Sequence, residues 1–203
     1  NLGRKSYWIN IGDNLLESVF NYVGHADRWI IITDENVDRI YGSEVMQAFK
    51  GKEVFKFVIP PGESSKNIGT VTEILSFMLE KQITRKSKLI ALGGGVVGDI
   101  AGFCASIYMR GMNWVQVPTT LLAQIDSSVG GKTGVNMPQA KNIVGTYSQP
   151  KGVVIDLNVL KTLSSKEMIS GIGEVIKYGI IYDNQFLNYI DENFSQILSL
   201  DEE

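Results

Sequence analysis

The 203-residue sequence has little of what staples, ligates or anchors a protein. Its one cysteine, Cys104, excludes an internal disulfide and makes a reducing cytoplasm the expected setting. Its one histidine, His25, is expected to be an exposed or locally satisfied loop residue. No apolar run reaches the roughly 18 residues of a membrane span. No signal-peptide pattern opens the chain, and Asn1 is expected to stand downstream of the natural start. The formal net charge is −3 and the cations are dispersed, so nothing pulls toward nucleic acid or an anionic membrane. Neither an internal repeat nor a low-complexity tract is present. What remains is 44% hydrophobic, ample for one packed domain or for one domain plus part of another.

Strand and helix signals alternate along the first three quarters. Strands are expected at Tyr7–Ile11, at Trp29–Thr33 ("WIIIT"), at Val54–Ile59 before Pro60 and Pro61, at Lys88–Leu92 ("KLIAL"), at Trp114–Val117 and at Gly152–Asp156. Val71, Ile74, Leu75, Met78 and Leu79 recur at helical spacing, and Asp99–Met109 is expected to be another helix. This order implies an α/β fold, a Rossmann-like parallel sheet with helices on both faces. From Ser165 onward only helical patterning remains, and Ser164 with Glu167 forms a capping box. The expected organisation is therefore an α/β domain over 1–164, followed over 165–203 by the first helices of an incomplete α-helical domain.

"GGGVVGD", Gly93 to Asp99, follows a strand and opens a helix, and it satisfies Gly-x-Gly-x-x-Gly at Gly93, Gly95 and Gly98. Without Cβ atoms, such a turn lets a pyrophosphate approach backbone N–H groups at a helix N-terminus. A tight turn with close helix–strand packing would use the same glycines. The acidic residue expected about 20 positions on, to hold a ribose, is missing. Asp34, at the end of "WIIIT", could replace it if that strand lies beside the glycine turn; otherwise it is a helix cap.

"QIDSSVGGKTGVN", Gln124 to Asn136, superficially resembles an ATP-binding loop. The Walker pattern needs a glycine where Asp126 stands, so it fails. Asp126, Ser127, Ser128, Lys132 and Thr133, with Lys141 and Asn142 beyond, suit a phosphorylated polyol instead. Lysine supplies point charge for phosphate, while carboxylate and amide groups hold hydroxyls.

In chain order, "PPGESSK", "ALGGGVVGD", "YMRG", "VPTTLLAQIDSSVGGKTGVN", "KNIVGTY" and "GIGEVIKYG" resemble the 3-dehydroquinate synthase family. The resemblance spans essentially the whole chain. It implies a Rossmann-like domain and a mostly helical domain with the active site between them. The implied reaction converts 3-deoxy-D-arabino-heptulosonate 7-phosphate to 3-dehydroquinate and phosphate in the shikimate pathway. In it the C5 hydroxyl is oxidised with NAD, phosphate leaves, the ketone is reduced again and the ring closes by an aldol step. NAD is thus regenerated, and a divalent metal, zinc or cobalt, acts as Lewis acid.

The resemblance also implies roles. Asp34, Glu63, Lys66, Gly94, Gly95, Val96, Asp99, Thr119 and Thr120 match residues that contact NAD, and Glu167 and Lys141 stand close to the cofactor. Asp126, Lys132, Lys141 and Asn142 match substrate-side residues, with Lys132 and Asn142 near the phosphate. Arg110 matches an arginine that reaches the substrate phosphate from a neighbouring subunit, which implies a homodimer. Glu174 matches a metal ligand and Lys177 a residue lying over the substrate, although their i, i+3 spacing alone would equally make a surface ion pair. Asp126, Lys132 and Lys177 are the implied catalytic residues. The family completes its metal site with two histidines from the helical domain. Here Glu174 stands alone, whereas catalytic zinc takes three protein ligands. The chain is therefore expected to be a fragment that does not turn over substrate. Three alternatives stay open: a 2-deoxy-scyllo-inosose synthase-like cyclase, a metal-dependent polyol dehydrogenase, and an NAD-binding module without turnover.

Overall fold

Alternation along the apolar runs sorts the core onto two sides of a single sheet. Ile30, Ile32, Leu89 and Ala91 pack on one side, and Ile31, Ile90, Leu92, Val115 and Val117 on the other. The computed structural model describes residue 3 and residues 6–200. Its strands are β1 (Trp8–Gly12), β2 (Trp29–Asp34), β3 (Val54–Ile59), β4 (Lys88–Gly93), β5 (Asn113–Pro118), β6 (Lys132–Met137), β7 (Ala140–Tyr147) and β8 (Gly152–Asp156). Six of them form a sheet in the order β1-β8-β5-β4-β2-β3, with every pairing parallel. The helices are α1 (Phe20–Val23), α2 (Glu35–Val37), α3 (Ser43–Ala48), α4 (Ile68–Glu80), α5 (Gly95–Ile107), α6 (Ser165–Tyr182), α7 (Asn184–Glu192) and α8 (Phe194–Ser199).

Helices cover both faces, as the alternating pattern implies. Ile74 and Met78 of α4 and Ile100 and Cys104 of α5 fill one side. Val23 of α1 and Val45 of α3, with Leu16, Val19 and Phe49, fill the other. Helix α5 begins at Gly95, four residues before the Asp99 start expected from its periodicity. The glycines carry no hydrophobic signal, yet the helix runs straight out of β4. Among the described residues only helices follow Ser164, whose hydroxyl accepts the Glu167 N–H at 3.3 Å. Among the described residues, no helix is long and apolar enough to cross a membrane.

One element is absent from the sequence reading. The stretch after the Asp126 loop pairs as an antiparallel hairpin, β6 with β7, separate from the main sheet. Its strands are rich in Gly and polar residues, and β7 is mostly exposed, so no apolar run betrays it. What holds it is contact with α5. A Cβ at Gly102 would collide with Thr133 and Trp114, so the missing side chain is what lets helix and hairpin meet.

Cys104 is 0% exposed, and burial pushes its thiol up to about 12. Iodoacetamide at about pH 8 is expected to leave the folded protein unmodified and to alkylate it quickly once urea unfolds it. Equal rates in the two states would contradict the packing of α5 against the sheet.

Candidate functional site

Parallel strands end at a common edge, so the loops after β2, β3, β4 and β5 open side by side. Between them lies a cleft of about 670 Å³. The glycine turn forms its floor. Gly94 precedes α5 without any side-chain cap, and the first helical bond at this end is from Gly98 N–H to Gly94 O at 3.0 Å. The N–H groups of Gly95, Val96 and Val97 are therefore left for a ligand, at the positive end of a 13-residue helix. The glycines divide by role. A Cβ at Gly98 would strike the buried Gln116 amide and one at Gly93 would strike Val97, so these serve packing. A Cβ at Gly94 would stand 3.1 Å from Thr120, and one at Gly95 would stand 3.1 Å from Ser127, narrowing the cleft itself.

The walls bring together residues far apart in sequence. Because β2 pairs with β4, Asp34 lies beside the glycine turn. Its Oδ1 caps α2 by accepting the N–H groups of Asn36 and Val37, at 2.9 and 3.2 Å. Asp34 thus caps a helix, one of its two sequence readings, and the same residue lines the cleft. Glu63, Lys66, Asp99, Thr119, Thr120 and Glu167 line the same space as Gly94, Gly95 and Val96. Two hydroxyl oxygens here, Thr119 Oγ1 and Ser127 Oγ, are buried without a hydrogen-bond partner among the described residues. Orphaned hydroxyls beside a bare helix N-terminus fit an anionic, hydroxyl-bearing ligand such as a dinucleotide.

A second cleft, of about 460 Å³, adjoins the first and shares Asp99, Asp126 and Ser127 with it. Lys132 and Asn142 of the hairpin line this one, as do Thr133 and Thr146. The buried Lys66 stands at the junction, donating to Asp99 Oδ2 and to Asn142 Oδ1, each at 2.5 Å. Burial pushes the Asp99 carboxyl up from its ordinary value, and the Lys66 ammonium pulls it back down only in part. Asp126 is exposed on a π-helical turn, Ala123–Ser127, and its Oδ1 accepts the Tyr178 hydroxyl of α6 at 3.2 Å. Burial, followed by the Asp126 charge, pushes the Tyr178 hydroxyl up.

Other residues singled out in the sequence lie elsewhere. Lys141 is exposed on β7 and lines neither cleft. Lys177 donates to Glu174 Oε1 on α6, and that hydrogen bond raises the lysine above its ordinary value. Neither residue lines either of these two clefts, and their contact with each other is the ion pair that their spacing allows. Arg110 lines a separate hollow with Arg85 and Lys151, which touches the second cleft only through Thr146 and Tyr147. Met109 and Arg110 both hold left-handed backbone, φ 49° and 65°, which is uncommon for such side chains. His25 is exposed in the loop entering β2, at the opposite edge of the sheet from the clefts. Among the described residues, no group of three or more His, Cys, Asp or Glu side chains could hold a metal ion. Glu174 by itself does not make such a site.

Asn136 and Tyr178 are site neighbours that pattern reading missed. Each acts through a contact distant in sequence, Asn136 with Glu63 and Tyr178 with Asp126, and neither carries charge or periodicity as a signal.

Comparison with known proteins adds a second line of observation. The family described as 3-dehydroquinate synthase N-terminal matches residues 56–170, more than half of the chain. A 3-dehydroquinate synthase of Alkaliphilus metalliredigens is 58% identical over 202 residues, covering 100% of this chain and 57% of that protein. One from Pseudomonas aeruginosa is 47% identical, over 98% of this chain and 55% of its own length. The chain thus spans little more than half the length of these relatives. Among solved structures, the 2-epi-5-epi-valiolone synthase ValA of Streptomyces hygroscopicus, with NAD+ and Zn2+ bound, aligns with a TM-score of 0.88. Its identity is 30%, over 96% of this chain and 55% of that one. A 2-deoxy-scyllo-inosose synthase complexed with carbaglucose-6-phosphate, NAD+ and Co2+ aligns at 0.78 and 32% identity, over 83% of this chain and 47% of its own. Glycerol dehydrogenase of Schizosaccharomyces pombe shares the fold at 16% identity and a TM-score of 0.64.

Proposed function

Because the chain belongs to the 3-dehydroquinate synthase family, we propose that it forms the NAD-binding and phosphate-binding part of an enzyme that makes 3-dehydroquinate. The substrate is 3-deoxy-D-arabino-heptulosonate 7-phosphate, and phosphate is the second product. The observation that carries this reading is the pair of adjoining clefts. One is floored by an uncapped helix N-terminus, the other is lined by Lys132 and Asn142, and Asp99, Asp126 and Ser127 belong to both.

In the larger cleft the amides of Gly95 and Val96 hold the pyrophosphate, Asp34 a ribose, and the orphaned Thr119 hydroxyl a further polar atom of the dinucleotide. When bound, NAD supplies a hydride acceptor that is restored within each turnover. Lys132 places positive charge in the second cleft, where the sugar phosphate binds, and Asn142 adds a neutral polar group. Asp126, at the shared boundary, receives hydroxyls of the sugar and orients them toward the cofactor side. Tyr178 holds that carboxylate in place from α6. The raised Asp99 and the buried Lys66 form the wall between the clefts.

Glu174 is the one metal ligand we assign, and Lys177 would turn from it to the substrate once a cation took the carboxylate. With only that carboxylate, these 203 residues do not turn over substrate by themselves. We place the boundary between the α/β unit and the helical unit near Ser164. A homodimer, in which Arg110 serves the partner's phosphate, and a cytoplasmic location complete the reading. ValA and the inosose synthase make a related sugar phosphate cyclase the second reading, since both share this fold at 30% and 32% identity.

The chain joined to the remainder of the Alkaliphilus enzyme separates these readings. With NAD+ and zinc, the chimera is expected to release phosphate from 3-deoxy-D-arabino-heptulosonate 7-phosphate and not from glucose 6-phosphate, while the 203-residue chain releases none. Release from glucose 6-phosphate alone would favour the second reading.

A further inference from the structure

We infer that Asn136 is a positioning residue that sets Glu63 in the dinucleotide cleft and Asn142 in the phosphate cleft from a single side chain. The inference rests on the preceding assignment of ligands to the two clefts.

Asn136 ends the regular part of β6, where the register of the hairpin shifts between Val135 and Met137. It lies where the hairpin meets the loop between β3 and α4, and forms an isolated bridge with Asn67. Two of its polar groups reach that loop and a third is engaged within the hairpin. Its backbone N–H donates to Lys66 O at 2.9 Å. Its side-chain Nδ2 donates to Glu63 Oε1 at 2.7 Å. Its Oδ1 accepts the backbone N–H of Asn142 at 2.7 Å. Lys66 Nζ then returns to Asn142 Oδ1, closing a ring of hydrogen bonds through Asn136, Asn142 and Lys66.

The ring matters because neither client is held by its own element. Glu63 is exposed in a three-residue 3-10 turn, and Asn142 is exposed with left-handed backbone, φ 53°. Asparagine adopts left-handed geometry more readily than most residues, and here neighbours restrain its N–H and its side chain. The Asn136 amide supplies one such restraint through Oδ1 and another, on a different loop, through Nδ2. Its two ends therefore serve the two clefts separately, and a substitution can remove one without the other.

Asn136→Asp performs that separation. A carboxylate keeps an acceptor for the Asn142 N–H, but it replaces the donor facing Glu63 with a second negative oxygen. Asn136→Ala removes both. NAD+ affinity measured by calorimetry and inorganic phosphate affinity measured by phosphorus NMR, both on this chain, read the two sides. Asn136→Asp is expected to weaken NAD+ by about tenfold and to leave phosphate within about twofold, whereas Asn136→Ala weakens both by about tenfold. A purely structural asparagine would shift both affinities together in either variant. The inference is overturned if Asn136→Asp weakens both ligands equally or neither, and Asn136→Asp decides it even if the alanine variant does not fold. Failure of the unsubstituted chain to bind NAD+ would instead sink the assignment of the clefts, and this inference with it.

Discussion

Replacing Gly95 with aspartate is expected to abolish NAD+ binding while leaving the fold at least as stable as before. Gly95 is the first residue of α5, and no acidic residue stands in that helix's first turn. A carboxylate there complements the helix dipole and stabilises the helix by about 0.3–1 kcal/mol. The added Cβ meets only Ser127, its Oγ at 3.1 Å and its Cβ at 3.6 Å, and that hydroxyl has no hydrogen-bond partner among the described residues to lose. The pyrophosphate, however, would face a negative charge where it now faces bare N–H groups. Two like charges about 4 Å apart near a protein surface repel by about 4 kcal/mol, enough to weaken binding more than about 100-fold. Calorimetric titration with NAD+, beside a thermal melt, measures both halves. A melting temperature that holds while affinity collapses is the expected pair. Affinity within about threefold of the unsubstituted protein would mean that the dinucleotide does not use this helix end.

The largest expected effect on stability lies away from the ligands, at Asp156. This residue ends β8 and is 3% exposed. Its carboxylate accepts the N–H groups of Asn14, Leu16 and Asn158, at 3.2, 3.0 and 2.9 Å. The first two belong to the segment after β1, so Asp156 fastens the edge of the sheet to the opening of the next helical turn. Asp156→Ala leaves three donors without an acceptor, and at about 1–2 kcal/mol each the loss is about 3–5 kcal/mol. Asp156→Asn, which keeps one acceptor oxygen, is expected to lose less. Urea denaturation reads the difference as a shift in midpoint at constant slope. A loss below about 1 kcal/mol for the alanine variant would show that the segment after β1 is held by its apolar contacts alone.

What could be read before the structure follows from how each element is stabilised. β2 and β4 are buried on both faces, so their sequences are apolar almost throughout and their limits were legible to within a residue. The β6–β7 hairpin was not legible, because its stabilising contacts lie on α5 and on the β3–α4 loop and not in its own pattern. The cleft residues divide the same way. Asp34 and the glycine turn could be connected in advance only on the condition that their strands are neighbours, and the parallel pairing of β2 with β4 meets it. The Lys66 bridge from Asp99 to Asn142 could not, since it joins a loop, a helix and a hairpin strand whose separation no local rule fixes. Lys141 rests on resemblance alone: it lines neither cleft, whereas Asn142 and Ile143 beside it line the second.

Diffraction from crystals of this chain grown with NAD+ tests the central claim most directly. The expected result places the pyrophosphate oxygens about 3 Å from the amide nitrogens of Gly95 and Val96, with a ribose hydroxyl on Asp34. A dinucleotide seated away from the N-terminus of α5, or none at saturating concentration, would contradict the account.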